Sequence, residues 1–169
     1  KVLRFHDPRR FGSILWVGED AANSKLLKNL GPEPFDETLT AVALYRVSRG
    51  RKTSIKQFIM DGRVIVGVGN IYASEALFRA KIRPGRAAGR VTLSRFGQLL
   101  DAIRQVLSEA IKAGGTTLRD YSRVTGEPGY FEQSLDVYER AGRPCVNCAT
   151  AIRRKVIGQR ASYYCPRCQ

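Results

Sequence analysis

Apolar residues recur along the middle of the chain at helical spacing. Between residues 93 and 113 they fall at 93, 96, 99, 100, 103, 106, 107, 110 and 111, one wide stripe at a 3.6-residue period. Gly114-Gly115 stops that helix, and the stripe reads as core packing. Upstream, Asn70 is placed to cap a helix over 71–80 whose positions 73, 76, 77 and 80 share one face. A shorter helix starts at Thr53 or Ser54, where Ser54 and Gln57 fit a capping box, and ends at Asp61-Gly62. Another, capped by Asp36 or Thr38, runs to about Val47, and a short one is expected over 23–30 before the breaker cluster Gly31-Pro32-Glu33-Pro34. Thr117-x-x-Asp120 resembles the cap of a last short helix. At the start the period changes to two. Residues 1–6 and 11–17 alternate like strands joined by a turn at residues 7–10. Two strands alone are marginal, so they are expected to be the edge of a larger, incomplete sheet.

With 169 residues, 43% of them hydrophobic, the chain can bury one core and a small satellite module. Its formal charge is +14. The charge is spread along the sequence rather than gathered in a tail, which favours a folded basic face and a polyanionic partner. No apolar run reaches membrane length, no signal peptide is visible, and there is no internal repeat.

The four cysteines form two CxxC pairs, Cys145/Cys148 and Cys165/Cys168, with sixteen residues between them. This is the spacing of two zinc knuckles carried by a hairpin, each turn offering two thiolates to a tetrahedral ion. The only histidine, His6, is remote, so one Zn2+ on four thiolates is the economical assignment. Two disulfides suit a chain with this much apolar content poorly, and no βαβ pattern surrounds either pair to suggest a redox site. Thiolate ligation implies a reducing compartment. From Glu139 onward there are seven basic residues against that single acid, a footprint for nucleic acid.

Two further clusters carry chemistry. Gly67-Val68-Gly69-Asn70 lies between helices, where missing side chains and a helix N-terminus let backbone N–H groups approach a phosphate and the Asn70 amide donate to it. The alternative is a tight turn in which Asn70 only caps. Asp7-Pro8-Arg9-Arg10-Phe11 puts guanidinium groups and a ring at a loop tip, suited to holding open a DNA stack; taken alone, it reads rather as a surface turn with Phe11 starting a core strand.

Taken in order, DPRRFG, GPEP, GVGNIYASEALF, GGTTLRDY, GEPGYF and CxxC…QRASYYCPRC resemble the bacterial formamidopyrimidine-DNA glycosylases across essentially the whole chain. The resemblance implies a mainly α fold: a helix–two-turn–helix bundle preceded by strands of an incomplete β-sandwich and followed by a four-cysteine zinc β-hairpin. It implies segments at 1–34, 35–130 and 131–169, with damaged double-stranded DNA as partner of a monomer in the bacterial cytoplasm, at the nucleoid. Asn70 and Arg160 would clamp the phosphates beside the lesion, with Arg160 linked also to the final elimination step. Arg9 and Phe11 would fill the gap left by the flipped base. Arg51 would add a backbone contact, Lys56 would reach the lesion's side of the site, and residues 123–130 would close over the base.

The family's N-terminal proline, its amine nucleophile, has no counterpart here, nor do its upstream carboxylate, lysine and intercalating methionine. Met60, the only methionine, matches a helix-core position. The expectation is therefore the DNA-binding portion of a glycosylase and AP lyase that removes 8-oxoguanine and formamidopyrimidines, inactive alone. No lysine shows a sequence reason for a depressed pKa. An endonuclease VIII-type pyrimidine glycosylase and a non-catalytic zinc-ribbon protein remain as rivals; the DPRRFG segment favours the purine branch.

Overall fold

The structure is a computed structural model that describes residues 2, 5, 7, 12–18, 24, 27–114 and 135–169. Among them are four α-helices, α1 (Ala41–Ser48), α2 (Ile55–Ile59), α3 (Asn70–Arg79) and α4 (Leu93–Lys112). A single 3-10 turn, Ala88–Arg90, precedes α4. Strands β1 (Arg153–Ile157) and β2 (Arg160–Tyr164) then form an antiparallel hairpin. No described helix is long and apolar enough to cross a membrane.

Helix α4 is the scaffold. Phe96, Leu99, Leu100, Ile103, Val106, Leu107 and Ala110 of its stripe are buried, while Leu93 and Ile111 at the ends stay exposed. Helices α1 and α3 pack on it, and Phe96 meets Tyr45 and Phe58 edge-on at 6.5 and 6.0 Å. Each N-terminus is set by a side chain or a glycine. Thr40, rather than Asp36 or Thr38, caps α1 by accepting from the Ala43 N–H. Asp36 is instead occupied by Thr38, accepting from both its N–H and its hydroxyl. Ser54 caps α2 through the Gln57 N–H, and Thr92 caps α4.

Helix α3 is buried on two sides, and its sequence divides accordingly. Ala73, Ala76, Leu77 and Ala80 enter the helical core. On the other side Phe78 joins Val137, Cys145, Ile152, Tyr163 and Cys165 in a second core beneath the hairpin. The hairpin turn is Gly158-Gln159, both at positive φ (55° and 62°), as a two-residue primed turn requires. It fixes the register Ile157↔Arg160 through Arg153↔Tyr164.

Two expectations are corrected. Residues 12–17 form no strand. Trp16 is 95% exposed and Ile14, Leu15 and Val17 are also exposed, because alternation alone makes no strand without a partner to take its N–H and C=O groups. Where a helix was expected over 23–30, the described residues 27–29 make hydrogen-bonded turns, closed by the Leu27 and Lys28 N–H groups on the Ser24 carbonyl. The strand over 1–6, the cap at Thr117 and the closing loop at 123–130 involve residues outside the described set.

Candidate nucleic-acid interface and metal centre

The two CxxC turns meet at one end of the hairpin. The four sulfur atoms lie within 4.8 Å of one another, with Cys148 Sγ 3.5 Å from Cys165 Sγ and 3.4 Å from Cys168 Sγ, and Cys145 Sγ 3.9 Å from Cys168 Sγ. A disulfide needs about 2.05 Å. A tetrahedron with Zn–S bonds of about 2.3 Å has edges of about 3.8 Å, which this arrangement fits. As thiols the four conflict. Hydrogen bonding from Thr150 pulls Cys148 down to about 6, while the hydrogen bond to Cys148, with burial, pushes Cys168 up to about 12. One divalent cation resolves the conflict by taking all four as thiolates. Knuckle geometry supports this: the Cys168 N–H points at Cys165 Sγ, 3.4 Å away.

The hairpin is tied to the helices by buried polar groups. Glu75, fully buried on α3, accepts from the backbone N–H groups of Asp136, Val137 and Tyr138 at 2.9, 3.1 and 2.8 Å. Burial raises its pKa against the pull of those donors. Lys56, 0% exposed on α2, donates to the Ala161 carbonyl at 2.9 Å and to Ser162 Oγ at 2.7 Å. Ser162 in turn donates to the Arg160 carbonyl at 3.3 Å.

Lys56 corrects the expectation that no lysine is perturbed. Burial, with the neighbouring Arg160 charge, lowers its pKa to about 8. The unfolded chain keeps that proton to about 10.4. Between these values the unfolded state binds more protons, so the Lys56 contribution to stability rises with pH; below about 8 it is a constant cost. A lysine ammonium titrating near 8 is expected by side-chain carbon NMR, lost in Lys56→Met. If every lysine titrated above 10, the buried placement would be wrong.

At the start of α3 the expected cap moves by one residue. Gly69 is the N-cap, at φ −80° and ψ 178°, and Asn70 is the first helical residue. The Asn70 side chain is thereby released from capping. Its Nδ2 lies 3.3 Å from the Tyr138 hydroxyl, and its Oδ1 is buried without a partner. Amide oxygen and nitrogen are interchangeable by a flip. With the oxygen toward the Tyr138 hydroxyl, the NH2 is the end left needing an acceptor, a role an anion fills. A Cβ at Gly67 or Gly69 would meet nothing within 4 Å, so open space fronts this turn, and φ +79° at Gly67 itself favours glycine.

Tyr138 links the expected residues. It contacts Asn70, stacks edge-on with Tyr163 of β2 at 5.0 Å, and lies close enough to Arg160 for that charge to act on its hydroxyl, although burial dominates and raises its pKa. Asn70, Lys56 and exposed Arg160 thus converge where α2, α3 and β2 meet. Arg51 stands apart, exposed in the α1–α2 loop within electrostatic reach of Asp61. Arg9 and Phe11 lie outside the described residues. Sequence reasoning missed Tyr138, which lies in none of the quoted motifs, and Ser162 and Glu75, which lie inside two of them (QRASYYCPRC and GVGNIYASEALF) without being singled out.

These features define a helical domain joined to a hairpin whose four cysteines are arranged for one metal ion. Residues 30–122 match the formamidopyrimidine-DNA glycosylase H2TH domain family, and residues 142–169 match the zinc finger found in FPG and IleRS. The first match covers more than half of the chain, and the chain belongs to the formamidopyrimidine-DNA glycosylase family. It is 58% identical over 169 residues to the formamidopyrimidine-DNA glycosylase of Syntrophotalea carbinolica, covering all of this chain and 62% of that protein. The crystal structure of MutM (Fpg) from Thermus thermophilus superposes with a TM-score of 0.87 at 41% identity, over 98% of this chain and 63% of that one. A complex of Lactococcus lactis Fpg with abasic-site DNA gives 0.78 at 33% identity, over 85% of this chain and 53% of that one. The chain therefore spans about three fifths of the curated relative's length. The four cysteines form one zinc site.

Proposed function

We propose that these residues are the DNA-gripping part of a base-excision glycosylase and AP lyase acting, as a monomer at the bacterial nucleoid, on oxidised purines in duplex DNA. The observation that carries the reading is the convergence of Asn70, Tyr138 and Arg160 before the open Gly67–Gly69 turn, in a chain of net charge +14. The N-terminus of α3 adds partial positive charge where one end of the Asn70 amide, the NH2 once the amide is flipped toward Tyr138, is left for an anion. Arg160, on a strand whose backbone Lys56 braces, presents an exposed guanidinium that suits a phosphate. Arg51, and Arg9 with Phe11 at the opened stack, extend the contact. The working segments are 1–34, 35–130 and 131–169. Excision and elimination belong, in this reading, to the longer protein, with Arg160 assisting the elimination and the sugar attacked by an N-terminal proline amine.

Fluorescence anisotropy tests this with one duplex carrying a stable abasic-site analogue and a matched intact duplex. Tighter binding to the abasic duplex is expected, with log K falling against log[salt] at a slope of about −0.9 per phosphate contacted. Equal affinity for the two duplexes would remove the lesion-directed part of the reading. A flat salt dependence would remove the clamp.

A further inference from the structure

A second basic cleft lies beyond the other end of α3. It has a volume of about 410 Å³, between the turn at residues 83–86 and the hairpin, and is walled by Arg83, Arg86, Lys155, Ile157, Tyr164 and Gln169 among others. A neighbouring cleft of about 360 Å³ shares Arg83, Arg86 and Gln169 and adds Lys81 and Arg95. No Asp or Glu side chain lines either cleft. The ion pairs among the described residues join Arg63 to Asp61 and Arg79 to Glu109 and Asp136, and none uses a cation of these clefts.

The fold has already oriented several of these groups. Arg95 is spent on the carbonyls of Ala80 and Lys81 at the end of α3. Arg83 lies over the Tyr164 ring, 5.3 Å from its centroid, and Arg86 donates to the Arg90 carbonyl at 3.2 Å. Lys155 stands on β1 directly across from Ser162. Arg83, Arg86 and Lys155 line one cleft with no carboxylate among its lining residues, and an anion with several acceptor oxygens suits such a set. A guanidinium fork matches the geometry of a phosphate.

We propose that the Arg83–Arg86–Lys155 cleft is a second phosphate subsite that holds a backbone phosphate of the same duplex. This rests on the DNA-binding reading above. The ten residues of α3 set Asn70 about 15 Å, at 1.5 Å per residue, from the end of the helix that leads into the cleft. That is four to five nucleotides along one strand at about 3.4 Å each. Asn70 of the clamp starts α3 and the cleft follows the end of that helix, while Ile157 of the cleft pairs with Arg160 of the clamp on the hairpin; this continuity favours nucleic acid over an acidic protein segment as the occupant.

The test compares the parent with R86Q/K155Q, both exposed positions outside the clamp, after matched zinc content and circular dichroism show that both are folded. Two duplexes carry a central abasic analogue, one of about 7 base pairs that ends short of the cleft and one of about 24 that passes it. The double variant is expected to bind the long duplex at least about tenfold more weakly, with a log–log salt slope shallower by about 2, and the short duplex as the parent does. Arg86→Lys, which keeps the charge, should retain most of the long-duplex affinity. Equal losses on both lengths, or no loss on either, would overturn the proposal while leaving the DNA-binding reading intact. A parent that bound neither duplex would overturn both. Inorganic phosphate, titrated while the arginine Nε–H signals are followed, separates the other source of the same chemistry. Weak, non-saturating shifts support a backbone subsite, whereas saturable submillimolar binding without a length effect assigns the cleft to a free anion.

Discussion

Removing the metal, by a strong chelator or by Cys165→Ser, will unfold residues 142–169 and leave the helical body folded. Cys165 is fully buried and sits in the second core with Phe78, Val137 and Ile152. That core is too small to stand alone: beyond these residues it is built of tyrosine and the cysteines themselves. Structural zinc supplies about 10–16 kcal/mol in comparable modules, far more than the hairpin's own bonds. The helical core does not depend on it, since its residues from Leu39 to Ala110 pack around α4. Amide NMR should show the 142–169 signals collapsing while far-UV circular dichroism keeps its helical signal. A hairpin spectrum that survived the chelator would refute the assignment. Metal loss also uncovers Lys56 and deprives it of Ala161 and Ser162, so Arg160 loses its support in the same event.

Helix α4 was legible because its stripe is long and its period strict, and the hairpin because metal spacing constrains it. The strand expected over 11–17 was not found in its described residues, 12–17, for the same kind of reason: alternation describes a surface that suits a sheet, and only a paired neighbour makes the strand. Boundaries shifted where two candidates competed. Asp36 was drawn into its own turn with Thr38, leaving α1 to Thr40. At α3, Gly69 took the extended cap conformation and Asn70 moved inside the helix.

The metal ligands could be read from spacing, but the supports of the candidate interface could not. Lys56 and Ser162 are 106 residues apart, and Asn70 and Tyr138 are 68 apart. Nothing local marks Lys56 as buried, since a lysine in a short helix normally keeps its charge in water. Its depressed pKa is a property of the hairpin laid over it. Glu75 shows the same logic with opposite charge: only the docking of residues 136–138 gives this carboxylate its three donors.

The second large effect concerns the clamp. Asn70→Ala removes the amide and Arg160→Ala the guanidinium, while Glu75, Lys56 and the zinc site keep the frame. A hydrogen bond to a charged group is worth about 1.5–3 kcal/mol, so each variant should bind about ten- to a hundredfold more weakly. The loss should not depend on base sequence, because phosphates carry none. Both residues approach Tyr138, so the double variant should lose less than the sum of the single losses.

The most direct test is the affinity of the parent, Asn70→Ala, Arg160→Ala and the double variant for one abasic-analogue duplex at fixed salt. At least a tenfold loss is expected for each single variant, with coupling between them. Single variants that bind as tightly as the parent would contradict the clamp.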